Sequence, residues 1–254
     1  MKSFFLLMAM LFWINAVKTD NVLTRFKIPA GYKHSSSASD GFGSWLQTLP
    51  LRPAGTPART YKGDIAHTEV YTAAIVNMSV GNQDLQQCAD AVMRLRGEYL
   101  YQQKNYKAIS FNFTSGFRCD FMHYASGYRY NNGNWILKAK KDYSYASFMR
   151  YMNLVFSYAG TLSLQKELKR VNNPAGLKTG DVFIKGGAPG HCFIVMNVVE
   201  NAQHHKKFLL AQSFMPAQNI QVLQYNGDPW FSLDKHADIL YGELISKDYL
   251  KRFE

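Results

Sequence analysis

Three residues of the types that cysteine hydrolases use lie far apart along the chain. Cys88 stands near the start of a segment with helical periodicity, His191 opens a predicted strand, and Gln212 ends the following strand. Exposed N–H groups and the helix dipole lower the pKa of a thiol at a helix N-terminus, and a nearby imidazole takes its proton. We therefore expect Cys88 as nucleophile, His191 as base and Gln212 as the group that orients the imidazole. The backbone N–H of Cys88 and the side chain of Gln83 or Gln87 are the candidate oxyanion donors.

Each of these residues also has a purely structural interpretation. A cysteine on an apolar helical face commonly serves packing alone. A histidine at a strand start is often a plain structural or surface residue, and Gln212 could simply hydrogen-bond the backbone. Asp84 is the expected N-cap of the helix, which would place Cys88 four residues inside it. There the dipole effect fades, and the Asp84 carboxylate would oppose a thiolate.

The three cysteines of the chain cannot all pair within it, so at least one thiol is left over. Side chains alternate across a sheet, so that Cys192 is expected to face away from Cys88 if His191 faces it. A Cys119–Cys192 disulfide, or two buried thiols, is then the expected arrangement. Cys88 would remain as the unpaired thiol that catalysis requires.

The first sixteen residues have the pattern of a secretory signal peptide. Lys2 precedes an apolar run over residues 4–13, and Ala16 offers a cleavage site. A membrane anchor or a buried helix is the alternative, although the run is short for a bilayer span. We expect a mature chain of residues 17–254 that is secreted or held in the periplasm or cell envelope, with no stable membrane span after removal of the signal peptide.

The composition is that of a folded, basic protein. The chain has 254 residues, of which 47% are hydrophobic and 19% charged, and its formal net charge is +11. These values exclude wholesale disorder, and the charge favours an anionic partner. For an exported chain we expect that partner to be a cell-wall peptide or an anionic glycan, and not a nucleic acid.

The sequence offers no motif for a metal or a cofactor. The run His204-His205-Lys206-Lys207 falls in a predicted hairpin turn, with no carboxylate or cysteine placed to complete a metal site. Glycine-rich phosphate loops and serine-elbow motifs are absent from the sequence. The glycines at 186, 187 and 190 precede a strand and are interpreted as a turn that lets a ligand approach His191. We therefore expect neither metal nor cofactor.

Hydrophobic periodicity is helical in the first part of the chain and strand-like in the second. The clearest helix starts near Asp84 and carries Cys88 on its apolar face, with Asp90, Arg94 and Glu98 spaced four apart on its polar face. Residues 28–59 are rich in turn formers and are interpreted as an irregular arm. Further helices are predicted over residues 144–158 and 161–171, and strands over residues 70–80, 108–113, 182–184, 193–199, 208–212 and 220–223.

This order of elements indicates a fold class. Helices followed by a run of hairpin-linked strands are typical of α+β proteins. We expect N-terminal helices packed on a C-terminal antiparallel sheet or half-barrel. The chain has no internal repeat and no linker long enough to separate domains, so one domain is expected over residues 17–254 after the irregular arm.

Five stretches of the sequence are distinctive enough to indicate a family. They are Asp84-Leu85-Gln86-Gln87-Cys88-Ala89-Asp90-Ala91, Tyr158-Ala159-Gly160-Thr161-Leu162-Ser163, Gly180-Asp181-Val182-Phe183-Ile184, Pro189-Gly190-His191 and Leu210-Ala211-Gln212-Ser213-Phe214-Met215-Pro216-Ala217-Gln218. These stretches resemble a family of secreted bacterial proteins catalogued as a domain of unknown function. The resemblance extends from about Phe26 to about Trp230, and it implies export and a single domain without implying an activity.

A second resemblance concerns the candidate base. Gly180-Asp181 followed by apolar residues, then Gly190-His191 opening a strand and a polar residue on the next strand, is similar to part of the NlpC-type papain-like amidopeptidases, which cut cell-wall peptides. This resemblance implies a papain-like fold with His191 as base, Gln212 as orienting residue and Cys88 as nucleophile. The chain differs in the residue before the cysteine, which is usually acidic in those enzymes, and in a longer separation between cysteine and histidine.

The sequence therefore predicts a secreted papain-like cysteine hydrolase, an amidase or peptidase, that acts on an amide bond in the cell wall. Acyl transfer by the same three residues stays open. The alternative is a non-catalytic envelope protein that binds an anionic glycan or a peptide through its basic surface and through Trp45, Trp135 and Trp230. In that case Cys88 is expected to be buried and slow toward alkylating reagents.

Overall fold

A computed structural model describes residues 20–35 and 41–254, so the predicted signal peptide lies outside the described residues. In this part of the chain no helix is both long and apolar enough to cross a bilayer. The described residues form six α-helices, two of which are long. They are α1 (Val22–Arg25), α2 (Gly41–Gln47), α3 (Cys88–Gln102), α4 (Phe121–Ala125), α5 (Tyr145–Tyr158) and α6 (Thr161–Glu167).

The strands of the described residues form one large antiparallel sheet and two small hairpins. They are β1 (Tyr32–His34), β2 (Thr72–Ile75), β3 (Ser110–Asn112), β4 (Arg118–Asp120), β5 (Tyr128–Asn131), β6 (Asn134–Leu137), β7 (Lys169–Arg170), β8 (Val182–Lys185), β9 (His191–Asn201), β10 (Lys206–Gln212), β11 (Gln221–Leu223) and β12 (Leu250–Arg252). The large sheet has the order β2-β11-β10-β9-β8-β12-β7, with β1 paired to β9, and the hairpins are β3–β4 and β5–β6. The fold is therefore mixed α+β with an antiparallel sheet, as the sequence predicts.

The two faces of the central strand β9 contribute to different halves of the core. Cys192, Ile194 and Met196 belong to the large cluster that contains the apolar residues of α3. Phe193 and Val195 belong to a second cluster with residues of the C-terminal segment. Because side chains alternate along a strand, α3 covers one face of β9 and the C-terminal segment covers the other.

A β-bulge in β9 determines toward which face of the sheet the side chains of its first residues point. Leu209 pairs with Asn197 and the next residue, Leu210, pairs with Val195, so that β9 carries one extra residue at Met196. The bulge changes the alternation, since Val195 and Val198 lie in the same cluster although they are three positions apart. The orientation of the first residues of β9 therefore depends on this bulge.

Helix α2 lies inside the segment that the sequence predicts to be irregular. Its two glycines give it a weak intrinsic helix propensity, but tertiary contacts compensate. Phe42 and Trp45 of α2 pack their rings against Tyr99 of α3, with centroids 5.4 and 6.0 Å from it. The Trp45 indole also donates to Oε1 of Gln102 at 2.7 Å. The helix forms because α3 provides a surface for it, which local sequence patterns do not reveal.

The charged row on α3 is buried, which corrects the prediction of a polar face. Asp90, Arg94 and Glu98 are only 6, 5 and 3% exposed. Nε of Arg94 donates to Oε1 of Glu98 at 2.7 Å, and the Tyr145 hydroxyl donates to the same oxygen at 2.6 Å. Since α3 packs against both the sheet and α5, charges spaced for a solvated face instead form an internal ion pair.

Candidate active site

Helix α3 begins at Cys88, so the candidate nucleophile lies in its first turn. Gln87 is the N-cap, and its backbone N–H donates to Oδ2 of Asp90 at 3.0 Å. The prediction of Asp84 as the cap is therefore wrong; its carboxylate instead accepts the backbone N–H of Ala217 at 2.7 Å. The N–H of Cys88 is among the first N–H groups of the helix, which have no intrahelical acceptor, and the positive end of the helix dipole lies there.

His191 and Gln212 lie at adjoining ends of the antiparallel strands β9 and β10. Ala211 pairs with Ile194, which places the last residue of β10 beside the start of β9. Nε2 of His191 is 2.8 Å from Oε1 of Gln212, and both side chains are buried. Because an amide oxygen only accepts hydrogen bonds, Nε2 is the donor. The neutral imidazole then has Nδ1 available to accept a proton.

A chain of buried polar side chains fixes the orientation of the Gln212 amide. Nε2 of Gln212 donates to Oε1 of Gln221 at 3.2 Å. Nε2 of Gln221 in turn donates to the hydroxyl oxygens of Thr68 and Thr72, each at 2.9 Å. With its nitrogen held in this direction, Gln212 presents its oxygen to the imidazole.

Three aromatic rings hold the plane of the His191 imidazole. Tyr241 stacks on it with ring centroids 4.7 Å apart and an interplanar angle of 20°. The centroids of Phe193 and Phe214 lie 4.8 and 5.1 Å from that of His191. The imidazole is therefore positioned by packing as well as by its hydrogen bond, which is the preorganisation that a catalytic base requires.

The sulfur of Cys88 is in hydrogen-bonding contact with two residues of β9. A hydrogen bond from the Cys192 thiol, together with the hydrogen bond and positive charge of His191, lowers the pKa of Cys88 to about 5 against the opposing effect of burial. The pKa of Cys192 moves the other way, well above its usual range, because of its hydrogen bond to Cys88 and its burial. Cys88 is thus the thiolate of the pair and Cys192 is the donor.

The expectation that Cys192 faces away from Cys88 is therefore wrong. Helix α3 packs on the same face of β9 that carries Cys192, and His191 occupies the end of the strand, where its side chain also reaches the start of the helix. The three cysteines, all within the described residues, are buried and free. The Cys119–Cys192 disulfide is thus not formed, and the other expected arrangement, two buried thiols besides Cys88, is the one present.

Asp90 lies in the first turn of α3, close to the Cys88 sulfur. Burial raises the pKa of Asp90 well above its usual range, and the negative charge of Cys88 adds to the effect. Burial therefore disfavours the ionised form of this acid beside the Cys88 sulfur. Its Oδ2 accepts the Gln87 N–H, and its Oδ1 has no hydrogen-bond partner within the described residues.

Cys88 is buried, and exposed residues lie on the segments that flank His191 and Gln212. Cys88 keeps 9% of its surface exposed, and Met215, three residues beyond Gln212, is 50% exposed. The turn over residues 187–189, which leads into His191, is exposed as well. The thiol therefore lies at the border of the core, with exposed loops on both flanking segments.

Gln83 and Gln87, the two side chains expected as oxyanion donors, make contacts that do not involve Cys88. Nε2 of Gln87 donates to Oδ1 of Asp84 at 3.2 Å. Gln83 is exposed and lines a cavity of about 260 Å³ whose lining does not include Cys88. The structure thus brings Cys88, His191 and Gln212 together and gives Gln83 and Gln87 different contacts.

Sequence reasoning missed three residues that complete the site. Cys192 directly follows His191, and strict alternation along a strand would therefore point its side chain away from Cys88. Gln221 is a polar residue in an apolar strand, a signal of the same kind as Gln212. Tyr241 lies in a C-terminal segment without periodicity, and no local pattern connects it with His191.

The chain was compared with known proteins at three levels. No curated protein and no solved structure was found to match it. A family model described as "Domain of unknown function (4846)" matches residues 22–249. Because this match covers nearly the whole chain, the protein belongs to that family.

Proposed function

We propose that the protein is a cysteine hydrolase, an amidase or peptidase, with a papain-like arrangement of Cys88, His191 and Gln212. The observation that carries the proposal is the continuous contact from the Cys88 thiol through the His191 ring to the Gln212 amide. The lowered pKa of Cys88, about 5, and the 2.8 Å bond between His191 and Gln212 are what a nucleophile and its oriented base require.

The proposed reaction begins with attack of the Cys88 thiolate on the carbonyl carbon of an amide. The oxyanion that forms is stabilised by the backbone N–H of Cys88 at the start of α3. The C–N bond then breaks as protonated His191 gives its proton to the leaving amine, which leaves a thioester on Cys88. Water attacks the thioester while His191 takes its proton, and the carboxylic acid and the thiolate are released.

Gln212 acts on this cycle through His191. It accepts the Nε2 hydrogen in both the neutral and the protonated ring, so that Nδ1 is the nitrogen that exchanges the proton with the Cys88 side. The stacked Tyr241 ring limits rotation of the imidazole. Gln212 is thus a positioning residue, whereas Cys88 forms the covalent bond and His191 carries the proton.

We propose cell-wall peptide as the substrate class and the secreted or cell-envelope compartment as the site of action. The support is the signal-peptide pattern of residues 1–16 and the net charge of +11, which draws the protein toward anionic wall polymers. An amide bond in a wall peptide is a substrate that the thiolate chemistry of Cys88 fits.

The test compares Cys88→Ala with Cys192→Ala on isolated cell-wall fragments, with release of new amino groups as the readout. Cys88→Ala is expected to lower the rate at least ~100-fold, since the nucleophile is lost. Cys192→Ala keeps the nucleophile and is expected to retain activity with a pH profile displaced to higher pH. Equal rates in the two variants, or no release by the wild-type chain, would overturn the proposal.

A binding function without catalysis is the second candidate, and a basic cavity favours it. Arg25, Lys27 and Lys207 line a cavity of about 580 Å³ together with Asp228 and Trp230, and Arg25 is itself paired with Asp20. Cations beside an indole ring can hold an anionic glycan. On this proposal Cys88→Ala keeps full affinity for an anionic wall polymer, and binding weakens as salt is raised.

A further inference from the structure

Two cysteine sulfurs lie in contact at the site, and the proposed hydrolysis uses only one of them as a nucleophile. The Cys192 thiol donates its hydrogen bond to the Cys88 sulfur. Cys88 begins α3 and Cys192 is the second residue of β9, and these two elements pack against each other. Both side chains belong to the same buried cluster, and both thiols are free. Sulfurs that already touch need only a short approach to reach the roughly 2.05 Å of a disulfide.

The two thiols differ in how readily an oxidant attacks them. The thiolate is the form that peroxides oxidise, and the lowered pKa of Cys88, about 5, keeps its sulfur in that form at neutral pH. Burial and the contact with Cys88 raise the pKa of Cys192, and burial raises that of Cys119, which lies in β4. Oxidation is therefore expected to start at Cys88, with Cys192 as the thiol beside it.

From these contacts we infer that hydrogen peroxide converts Cys88 and Cys192 into a reversible disulfide, in which Cys192 is the resolving thiol. The Cys88 sulfur takes one peroxide oxygen, the O–O bond breaks, and the leaving hydroxide takes up a proton and becomes water. The Cys192 sulfur then attacks the sulfenic acid on Cys88. The S–S bond forms, the S–O bond breaks, and the hydroxyl leaves with the Cys192 proton as a second water. The two sulfurs together lose the two electrons that the peroxide gains.

The first oxidation step makes the second one easier. The hydrogen bond to Cys88 and the negative charge on it both raise the pKa of Cys192. A sulfenic acid at Cys88 carries no such charge, so the Cys192 thiol becomes more acidic once it is needed as a nucleophile, with burial as the main opposing effect. The disulfide also stops oxidation of Cys88 to sulfinic and sulfonic acids, which thiols do not reverse.

The test treats the full chain with hydrogen peroxide at neutral pH and blocks the remaining thiols with N-ethylmaleimide before unfolding. Trypsin then separates the three cysteines onto different peptides, which are identified by mass spectrometry. We expect a linked pair that contains Cys88 and Cys192 and that dithiothreitol separates. It should be at least ~10-fold more abundant than any pair with Cys119, because oxidation follows thiolate character and contact.

Two variants show whether Cys192 is the resolving thiol. Cys192→Ser keeps a hydroxyl donor in place but has no sulfur, so Cys88 is expected to proceed to sulfinic and sulfonic acids. The fraction of Cys88 that iodoacetamide alkylates after peroxide and then dithiothreitol should fall at least ~5-fold relative to the wild type. Cys119→Ala is the matched control and is expected to recover as the wild type does.

The outcomes separate this inference from the proposed hydrolase. Absence of the Cys88–Cys192 pair in the wild type, whether Cys88 stays reduced or becomes a sulfinic acid, would overturn the inference even if the chain cleaves wall peptides. Pairs with Cys119 in equal amount would overturn it as well, because the fold would then not select the partner. The expected pair in a chain without hydrolytic activity supports the disulfide and counts only against the hydrolase. Loss of wall-peptide cleavage on oxidation, with recovery in dithiothreitol, is the one expectation that rests on the proposed function.

Discussion

At the scale of single residues, the reactivity of Cys88 depends on which neighbours donate a hydrogen bond to its sulfur. An ordinary cysteine has a pKa of about 8.5 and is largely protonated at neutral pH. The pKa of Cys88 is lowered to about 5, first of all by the Cys192 thiol and then by His191. Its thiolate therefore forms as pH rises through about 5 and is complete at neutral pH.

The pH dependence of alkylation measures this directly. The rate of carbamidomethylation of Cys88 by iodoacetamide, followed by mass spectrometry of its peptide, is expected to rise with a midpoint near pH 5 and to be level by pH 7. Cys192→Ala removes the strongest donor to the thiolate, so the midpoint should move to higher pH. Cys119→Ala is the control and should leave it in place. A wild-type rate that still climbs between pH 7 and 9 would contradict the assignment.

Gln212 is tested through the tautomer of His191. Gln212→Leu removes the oxygen that accepts the Nε2 hydrogen, so the Nε2–H form should lose its dominance in the ¹⁵N spectrum of the ring. Turnover of wall peptide is expected to fall about 10- to 100-fold, which is less than the roughly 10²- to 10⁴-fold contribution of an acid–base group itself, because Gln212 acts only through His191. Gln224→Leu, an exposed change at a side chain that bonds the backbone of Val70, is the control. If the tautomer were unchanged in Gln212→Leu, the orienting role would be wrong.

The site residues were predictable only in part. Residue type and helix position were enough to propose Cys88, and a polar residue in an apolar strand was enough to propose Gln212. Residue type places the start of α3 at Asp84, which is the better cap, but in the structure the Asp84 carboxylate accepts the backbone N–H of Ala217 instead. Residues close in sequence do not reveal that a side chain suited to cap a helix instead binds a loop more than a hundred residues away.

At the scale of elements, helix α5 begins where the sequence predicts because its cap is a local interaction. The Ser144 hydroxyl oxygen accepts the N–H of Ser147 at 3.2 Å. Ser144→Ala is expected to lower the free energy of unfolding by about 1 kcal/mol, measured by urea denaturation. Ser157→Ala near the other end of α5 is the matched control and should change it by less than about 0.5 kcal/mol. Equal losses in the two variants would argue against a specific cap.

Local and long-range elements differ in how well periodicity predicts them. α3, α5 and the strands from β8 to β11 have regular patterns in their own residues and were predicted close to their positions. β7 and β12 have two and three residues. β12 forms because it pairs with β8 on one side and β7 on the other, and β7 forms by pairing with β12 alone. The third predicted helix ends at Glu167 instead of residue 171 because the following residues join the sheet as β7.

At the scale of the whole molecule, the Arg94–Glu98 pair lies within α3 and bonds α5 through the Tyr145 hydroxyl. The two side chains are only 6 and 4% exposed. Glu98→Leu leaves the guanidinium buried without its counter-charge and is expected to lower the free energy of unfolding by about 3–5 kcal/mol. The double variant Arg94→Met/Glu98→Leu should lose less than the single one, because no unpaired charge remains. Both are measured by chemical denaturation, and a larger loss in the double variant would contradict this account.

The bulge at Met196 makes the site sensitive to the deletion of one residue in β9. Removing Met196 would restore regular alternation between β9 and β10, and the stretch from residue 191 to 195 would then turn over relative to the rest of the strand. The His191 imidazole would then point away from Gln212 and Tyr241, its present partners. Deletion of Met196, five positions beyond His191, is therefore expected to take the orienting contacts away from the imidazole without changing any residue of the proposed site.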